Sequence, residues 1–283
     1  MLRCSYTIGS DPELFLVNKK TGKVVSAIDR IPGCKVEPFT EGMPEGFGLQ
    51  TDNILAEFNI PPVTREEEFI GNIEYMKDVI RDFAKRINEN FDIKCQASAK
   101  VPVKELKDPR AKEFGCDPDF CIYSEGPNKV GDASKGTLRS AGFHIHVGYP
   151  EHNIDTSIAM LRYVDACVGL PSILYDTDVE RRNLYGKAGC FRLQPYGFEY
   201  RTLSSFWIDN PSRMSFIWKQ VMWALYLYER GCSLPDSIDI QNAINNNDVE
   251  KARILLEEYK LIHPKNTEPK YYVRYFWNDL KKS

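Results

Sequence analysis

Two histidines stand two residues apart in the segment GFHIHVGY. His144 and His146 alternate there with Phe143, Ile145 and Val147. Because successive side chains of a β-strand point to opposite faces, the histidines share one face and the apolar residues take the other. Imidazoles with this spacing can bind a metal or a phosphate. The other interpretation is a pair of polar side chains on a solvent-facing strand.

The segment GFEYRTL repeats the pattern with opposite charges. Glu199 and Arg201 share one face, whereas Phe198, Tyr200 and Thr202 take the other. A carboxylate beside a guanidinium suits a site that holds a cation and an anion together. A simple ion pair on the surface of a sheet fits the same residues.

Two further strands each carry one acid on the face away from the core. Glu13 lies in PELFL and Glu57 in ILAEFNI, among apolar residues that alternate with them. If these strands are neighbours, one surface collects Glu13, Glu57, His144, His146, Glu199 and Arg201. Carboxylates and imidazole suit a hard divalent cation such as Mg²⁺. A nearby arginine suits phosphoryl transfer, which depends on positioning and neutralisation of charge.

Five basic residues lie near these strands in the sequence. Arg139 precedes the histidines, and the segment ERRNLYGKAGCFR holds Arg181, Arg182, Lys187 and Arg192. Several cations in a glycine-containing loop predict a clamp for phosphate or carboxylate. A solvated, charged loop is the alternative.

The elements that position these residues follow from periodicity. Thr64 and Glu67 predict a capping box at the start of a long amphipathic helix, and Asn210 with Pro211 predicts a second helix over 212–230. Strands early, helices between later strands and a helical part from about residue 209 predict an α+β fold. Its sheet is mostly antiparallel with helices packed on one face, in a single domain over 1–283.

Composition narrows the classes of function. The chain has 283 residues, 42% of them hydrophobic, and a formal net charge of −3. This balance gives no electrostatic footprint for nucleic acid or a membrane surface. The eight cysteines form no CxxC pair and no zinc framework, and the N-terminus is not a signal peptide. We therefore expect a cytoplasmic protein with reduced thiols, no nucleic-acid partner and no membrane partner.

Five segments in order resemble a known family: GSDPELFL, DNILAEFNIPP, FGCDPDF, TLRSAGFHIHVGY and RRNLYGKAGCFRLQPYGFEYRTLSSFW. They are similar to the phage-type COOH–NH₂ ligases, which are amidoligases related to glutamine synthetase and glutamate–cysteine ligase. The resemblance covers roughly residues 8–207. It implies a glutamine synthetase-like catalytic fold with a curved sheet, and an enzyme that uses ATP with Mg²⁺ or Mn²⁺.

The resemblance also implies roles for individual residues. The implied metal ligands are Glu13, Glu57, Glu199 and His144. The implied contacts to the nucleotide are His144, His146, Arg139, Arg192, Lys187 and Arg201. The implied catalytic residues are Arg201, Arg182 and Glu57. Related sites often carry E-x-E on the first strand, whereas this sequence has Asp11 two positions before Glu13. Asp11 can replace one ligand, or the site holds fewer metals.

The implied reaction activates a carboxylate. The acid attacks the γ-phosphate of ATP to give an acyl phosphate and ADP, and an amine then displaces phosphate to form an amide. Both substrates would be small molecules or peptides, and the oligomeric state is open. Asp117 and Asp119, in FGCDPDF, are candidates for binding the amine, or they form a solvated turn.

Other functions fit part of the pattern. Two histidines and one carboxylate could hold Fe²⁺ in an oxygenase, although the additional glutamates argue against it. A non-catalytic nucleotide-binding relative would be expected to lack some of the ligands. A kinase that stops at the acyl phosphate would share the ATP half of the site. No GxxxxGK[ST] segment is present, so the sequence does not indicate a P-loop enzyme.

Overall fold

The computed structural model describes residues 2–112, 120–124 and 136–266. The candidate amine-binding residues Asp117 and Asp119 lie outside these ranges. The strands are β1 (Thr7–Ser10), β2 (Glu13–Asn18), β3 (Lys23–Val25), β4 (Gly48–Asp52), β5 (Leu55–Val63), β6 (Phe91–Lys94), β7 (Ser98–Lys100), β8 (Phe120–Cys121), β9 (Leu138–Ser140), β10 (Ile145–Gly148), β11 (Cys190–Gln194) and β12 (Gly197–Tyr200).

The helices are α1 (Glu66–Ile87), α2 (Ile154–Val164), α3 (Leu170–Tyr175), α4 (Val179–Leu184), α5 (Pro211–Glu229), α6 (Ser237–Asn245) and α7 (Val249–Glu258). A π-helical turn, Asp165–Gly169, joins α2 to α3. The stretch Ile154–Tyr175 is long and apolar enough to cross a membrane, but most of it is buried inside the fold. It is therefore a core helix of this structure.

Ten strands form one sheet in the order β3-β2-β5-β1-β10-β12-β11-β8, with β4 beside β5 and β6 beside β2. Neighbouring strands are antiparallel, and β7 pairs with β9 in a separate ribbon. The predicted α+β class with a mostly antiparallel sheet is confirmed. The division of the chain into domains stays a prediction.

The helical layer covers one face of the sheet and forms the main core with it. Leu14, Phe58, Ile145 and Phe198 from four strands are buried in this core, as strand alternation predicts. A smaller cluster lies around Phe15, whose side chain points to the other face. That second cluster covers part of the face that carries the polar residues.

The start of α1 differs from the prediction. The helix begins at Glu66 after Arg65, whose side chain makes no capping hydrogen bond. Glu67 is then the second helical residue rather than the third, so the predicted capping box of Thr64 with Glu67 is wrong. Three glutamates in the first turn stabilise the positive end of the helix dipole instead. The predicted start of α5 is confirmed, because the Asn210 side chain accepts a hydrogen bond from Arg213 N.

The segment 137–149, TLRSAGFHIHVGY, forms two strands, and the strand predicted from GFHIHVGY begins only at Ile145. β9 belongs to the small ribbon and β10 to the large sheet, and the chain passes between them at 141–144. Backbone hydrogen bonds from Ala141 N to Ala97 O and from Phe143 N to Leu203 O, of 3.0 and 3.1 Å, hold this crossing. His144 therefore precedes the strand that carries His146.

Candidate active site

Asp11 joins the two histidines. Its Oδ1 lies 3.0 Å from Nδ1 of His144 and 3.1 Å from Nε2 of His146. Asp11 is placed by the short connection between β1 and β2, and β1 pairs directly with β10, where Gly9 lies opposite His146. The two imidazoles thus reach one carboxylate oxygen from the same face of the sheet.

Asp11 and His146 each stabilise the charged form of the other. Burial disfavours the Asp11 carboxylate, but the attraction of His146 and His144 outweighs it and holds the pKa of Asp11 well below its usual range. Burial also opposes a charged His146, and the attraction of Asp11 nevertheless raises the pKa of that imidazole. Tyr196 fixes the ring of His146, because its hydroxyl lies 2.9 Å from Nδ1 and the two rings stack at 6.0 Å.

Glu199 is the most enclosed acid of the group, with 1% of its side chain exposed. Its Oε1 accepts a hydrogen bond from Nη1 of Arg201 and lies 3.4 Å from Nδ1 of His144. Its Oε2 accepts a 2.9 Å hydrogen bond from Gln194 and lies 3.5 Å from Nη1 of Arg192. Arg192 and Glu199 are cross-strand neighbours on β11 and β12, and β10 places His146 on the other side of Glu199.

Asp11, His144 and Glu199 each offer a ligand atom, and these atoms all lie within 4.8 Å of one another. Nε2 of His144 is buried without a hydrogen-bond partner. It lies against Gly142, where an added Cβ would come within 2.5 Å of it. One imidazole and two carboxylates are a donor set suited to a hard divalent cation.

A second group of acids lies on the neighbouring strands. Glu13 on β2 is directly opposite Glu57 on β5, and Glu57 is opposite Gln50 on β4. Oε2 of Glu13 accepts a 2.6 Å hydrogen bond from Gly142 N. Burial, together with the charges of Asp11, Asp52 and Glu13, raises the pKa of Glu57 well above its usual range. Glu57 thus sits among negative charges that a cation could compensate.

Tyr185 holds Arg201 from the side opposite Glu199. The Tyr185 hydroxyl accepts hydrogen bonds from Nε, at 2.9 Å, and from Nη2 of Arg201. Because Nη1 of the same guanidinium donates to Glu199, the group is fixed at both ends. Only 1% of the Arg201 side chain is exposed.

The other face of β12 is anchored in the helical layer. Tyr200, which alternates with Glu199, donates a 2.6 Å hydrogen bond to Asp165 in the π-helical turn. Tyr123 donates to the second oxygen of Asp165 at 2.8 Å. Burial raises the pKa of this fully enclosed acid, although these hydrogen bonds favour its charged form. The network fixes the strand that carries Glu199.

The basic residues do not form the single predicted clamp. Arg192 lies at Glu199, whereas Arg139 donates to the carbonyls of Gly136, Leu138 and Ala111. Arg181 donates to the carbonyls of Thr202 and Leu203. These contacts give Arg139 and Arg181 a structural role.

The remaining two cations lie in different surroundings. Arg182 is buried, and its strongest electrostatic attraction is to Asp176, followed by Tyr200 and Asp165. Tyr200 and Asp165 belong to the helical side of β12, away from Glu199. Lys187 is exposed. The catalytic role of Arg182 and the nucleotide contacts of Arg139 and Lys187 stay predictions.

Sequence reasoning did not single out several residues of the site. Tyr185, Tyr196, Gln194 and Asp52 are brought in by turns and by strand pairing. Gln194 lies two residues after Arg192 on β11, so the two side chains share one face, and the two-residue period could have found Gln194. Tyr185 lies in a loop, where alternation gives no direction.

A buried set of acids, two histidines and an arginine on one sheet face defines an enzyme centre suited to a divalent cation beside a phosphate or carboxylate. Residues 137–251 match the family described as "Phage phiEco32-like COOH.NH2 ligase-type 2". This match confirms the resemblance and assigns the segment to a family of carboxylate–amine ligases, which form carbon–nitrogen bonds. The matched segment includes His144, His146, Glu199 and Arg201.

Among solved structures, a bifunctional glutathione synthetase from Pasteurella multocida is similar to the chain at 12% sequence identity, with a TM-score of 0.47. The similarity covers 92% of this chain and 46% of that one, so the chain spans less than half the length of that protein. No curated protein matches the sequence.

Proposed function

We propose that the protein is an ATP- and Mg²⁺-dependent carboxylate–amine ligase that forms an amide through an acyl phosphate. The observation that carries the proposal is the convergence of Asp11, His144, Glu199 and Arg201 on one sheet face. The match of residues 137–251 to carboxylate–amine ligases supports the reaction class. We propose a cytoplasmic location and small-molecule or peptide substrates.

The residues fit a divalent cation. Asp11, His144 and Glu199 would hold one, because Nδ1 of His144 lies 3.0 Å from Oδ1 of Asp11 and 3.4 Å from Oε1 of Glu199. Glu13 and Glu57 would hold another or complete the same cluster, because their raised pKa values reflect burial and unfavourable neighbouring charge. When bound, Mg²⁺ or Mn²⁺ neutralises the charge of the polyphosphate.

Arg201 would bind the transferred phosphoryl group. Glu199 and Tyr185 fix its guanidinium, so little reorganisation is needed when negative charge develops. The substrate carboxylate attacks the γ-phosphorus, the bond to the bridging oxygen breaks, and ADP leaves. Arg192, partly exposed at the edge of Glu199, is placed to bind the acid or a phosphate oxygen.

The second half-reaction needs a neutral amine. The amine nitrogen attacks the acyl carbon, phosphate leaves with the electron pair of the C–O bond, and a proton leaves the nitrogen. If Glu13 completes the cation cluster without Glu57, Glu57 would accept this proton, because burial and neighbouring acids raise the pKa of Glu57. A carboxylate with an ordinary pKa would hold that proton less well.

An oxygenase with two histidines and one carboxylate fits the geometry less well. The group of convergent ligand atoms contains one imidazole and two carboxylates. His146 instead pairs with Asp11 and Tyr196.

The test measures ADP release and O₂ uptake with Mg²⁺, ATP and panels of acids and amines. Glu57→Gln and Glu199→Gln should each abolish Mg²⁺-dependent ADP release, whereas Glu250→Gln on the exposed side of α7 should retain it. Unchanged release in both site variants would remove the metal assignment. O₂ uptake without ADP release would contradict the ligase reaction itself.

A further inference from the structure

Two of the cysteines lie directly opposite each other on neighbouring strands. Cys121 on β8 and Cys190 on β11 are cross-strand partners in an antiparallel pair. The two cysteines are far apart in the sequence, and only the pairing of their strands brings them together. Both are buried, with 7% and 3% of their surface exposed, and neither is joined in a disulfide in this structure.

The hydrogen-bond pattern defines the kind of pair. Ile122 N donates to Gly189 O at 3.1 Å, so this bond joins the residue after Cys121 to the residue before Cys190. Cys121 and Cys190 therefore form a non-hydrogen-bonded pair, in which opposite Cα atoms are about 4.5 Å apart. That separation falls within the range of roughly 4.4–6.8 Å that a disulfide spans.

The position of β8 gives peroxide a route to the two cysteines. The thiolate is the nucleophile in thiol oxidation, so a buried thiol must first become accessible to solvent. β8 is only two residues long and lies at the edge of the sheet, so a small local opening exposes both sulfurs.

We propose that Cys121 and Cys190 form a reversible cross-strand disulfide under oxidation by a peroxide. The Cys190 thiolate attacks one peroxide oxygen, the O–O bond breaks, and a sulfenic acid forms with release of water. The Cys121 sulfur then attacks the Cys190 sulfur and a second water leaves. Each sulfur loses one electron, and hydrogen peroxide gains two and is reduced to water.

The bond would join the edge of the sheet to a strand that contacts the candidate active site. Cys190 O accepts a 2.9 Å hydrogen bond from Arg201 N, so the disulfide would anchor the segment that holds Arg201. The proposal rests on strand pairing alone and does not require the ligase reaction.

A second pair of neighbouring thiols, Cys167 and Cys232, serves as an internal comparison. Cys167 is fully buried, and burial, with Cys232 adding to it, raises its pKa. Cys167 lies in the π-helical turn inside the core, so peroxide reaches it only through a larger opening than the one that exposes β8. We expect this pair to stay reduced under conditions that link Cys121 to Cys190.

The experiment treats the fully reduced, folded full-length protein with hydrogen peroxide, blocks the remaining thiols by alkylation in denaturant, and maps the peptides by mass spectrometry. The expected result is a linked Cys121–Cys190 peptide, two fewer alkylated thiols, and full reversal by dithiothreitol. The Cys34→Ser variant, which removes an exposed thiol, should give the same linked peptide.

Cys121→Ser should leave Cys190 as a sulfenic or more oxidised acid without a disulfide. The proposal is overturned if Cys121 and Cys190 both remain alkylatable in the folded wild-type protein, or if either links to a different cysteine. It is also overturned if the linked peptide forms only when the protein is unfolded before oxidation. These outcomes are read on the wild-type protein, so a variant that fails to fold does not weaken the test.

Discussion

Glu13 lies directly opposite Glu57 across β2 and β5, so two acids occupy neighbouring positions on the same face of the sheet. Such a pair is unfavourable while both are ionised and no cation is present. Burial and the neighbouring acids raise the pKa of Glu57 for this reason.

This pair predicts a pH-dependent stability. Folded Glu57 keeps a proton at pH values where the unfolded chain, with an ordinary pKa of about 4.3, has released it. The free energy of unfolding should therefore fall as pH rises from about 4.3 through the raised pKa of the folded protein. Glu57→Gln should reduce this fall and increase stability at neutral pH, while the raised pKa values of Glu13 and Asp52 keep part of it. Urea unfolding in EDTA across this pH range measures it.

Mg²⁺ supplies the control for that prediction. Added Mg²⁺ should stabilise the wild-type protein through preferential binding to the folded state and should stabilise Glu57→Gln much less. Equal stabilisation of both proteins would show that Glu57 takes no part in binding the cation.

Tyr185→Phe should lower turnover without unfolding the protein. The substitution removes the acceptor of two hydrogen bonds from Arg201, and a hydrogen bond to a charged group contributes about 1.5–3 kcal/mol. Because Arg201 is proposed to act on the phosphoryl group during transfer, kcat should fall by about 10- to 100-fold with a smaller change in KM for ATP. Steady-state kinetics of both half-reactions measure this split.

Tyr228→Phe is a suitable control for Tyr185→Phe, because Tyr228 packs on Tyr163 in the helical layer. A fall in kcat of equal size in both variants would assign the effect of Tyr185 to general loosening of the fold. A change confined to KM would place Arg201 in ground-state binding.

Tyr200→Phe should destabilise the protein by about 1–3 kcal/mol, since it removes one of the hydrogen-bond donors to the buried Asp165. The midpoint of urea unfolding should fall at constant slope. Tyr123→Phe, which removes a second donor and leaves the backbone of Gly189, should have an effect in the same direction. An unchanged midpoint in both variants would mean that Asp165 is already neutral in the folded protein.

Glu229 should stabilise the N-terminal segment above acidic pH. It accepts hydrogen bonds from Arg3 N, Cys4 N and the hydroxyl of Tyr6, at 2.6, 2.9 and 3.2 Å. Burial opposes its charge, but these hydrogen bonds outweigh burial and lower its pKa. Its contribution is therefore present above the ordinary glutamate pKa and is lost as pH falls through the lowered value.

Glu229→Gln should reduce the protection of Arg3 and Cys4 amides in hydrogen exchange at pH 7. At a pH below the lowered pKa, the variant and the wild-type protein should exchange these amides at similar rates. A difference that persists there would assign the effect to packing rather than to the carboxylate.

Strand alternation alone was enough to predict much of the candidate site from the sequence. The assignment of His144, His146, Glu199 and Arg201 to one face required only the two-residue period, and the contacts through Asp11 and Glu199 agree with it. Predicting that Glu13 lies opposite Glu57 requires the order of the strands in the sheet, and the two-residue period does not give that order.

Loop residues could not be placed in this way. Arg139 and Arg181 are predicted to bind an anion because of their charge, and in the structure their Nη groups donate to backbone carbonyls. Charge in a sequence does not show whether buried carbonyl groups nearby will need a donor. Tyr185 was missed for the converse reason, since its hydroxyl became important only when Arg201 was placed beside it.

The position of β1 has a consequence for how the protein acquires its activity. This N-terminal strand lies between β5 and β10, and β10 is synthesised long after β5. A nascent chain that ends before residue 144 would hold Asp11 without either of its imidazole partners. We therefore expect the candidate active site to form late in folding and in one step. The folding rate should be limited by the pairing of β1 with β10, which are distant in sequence, rather than by formation of the helices.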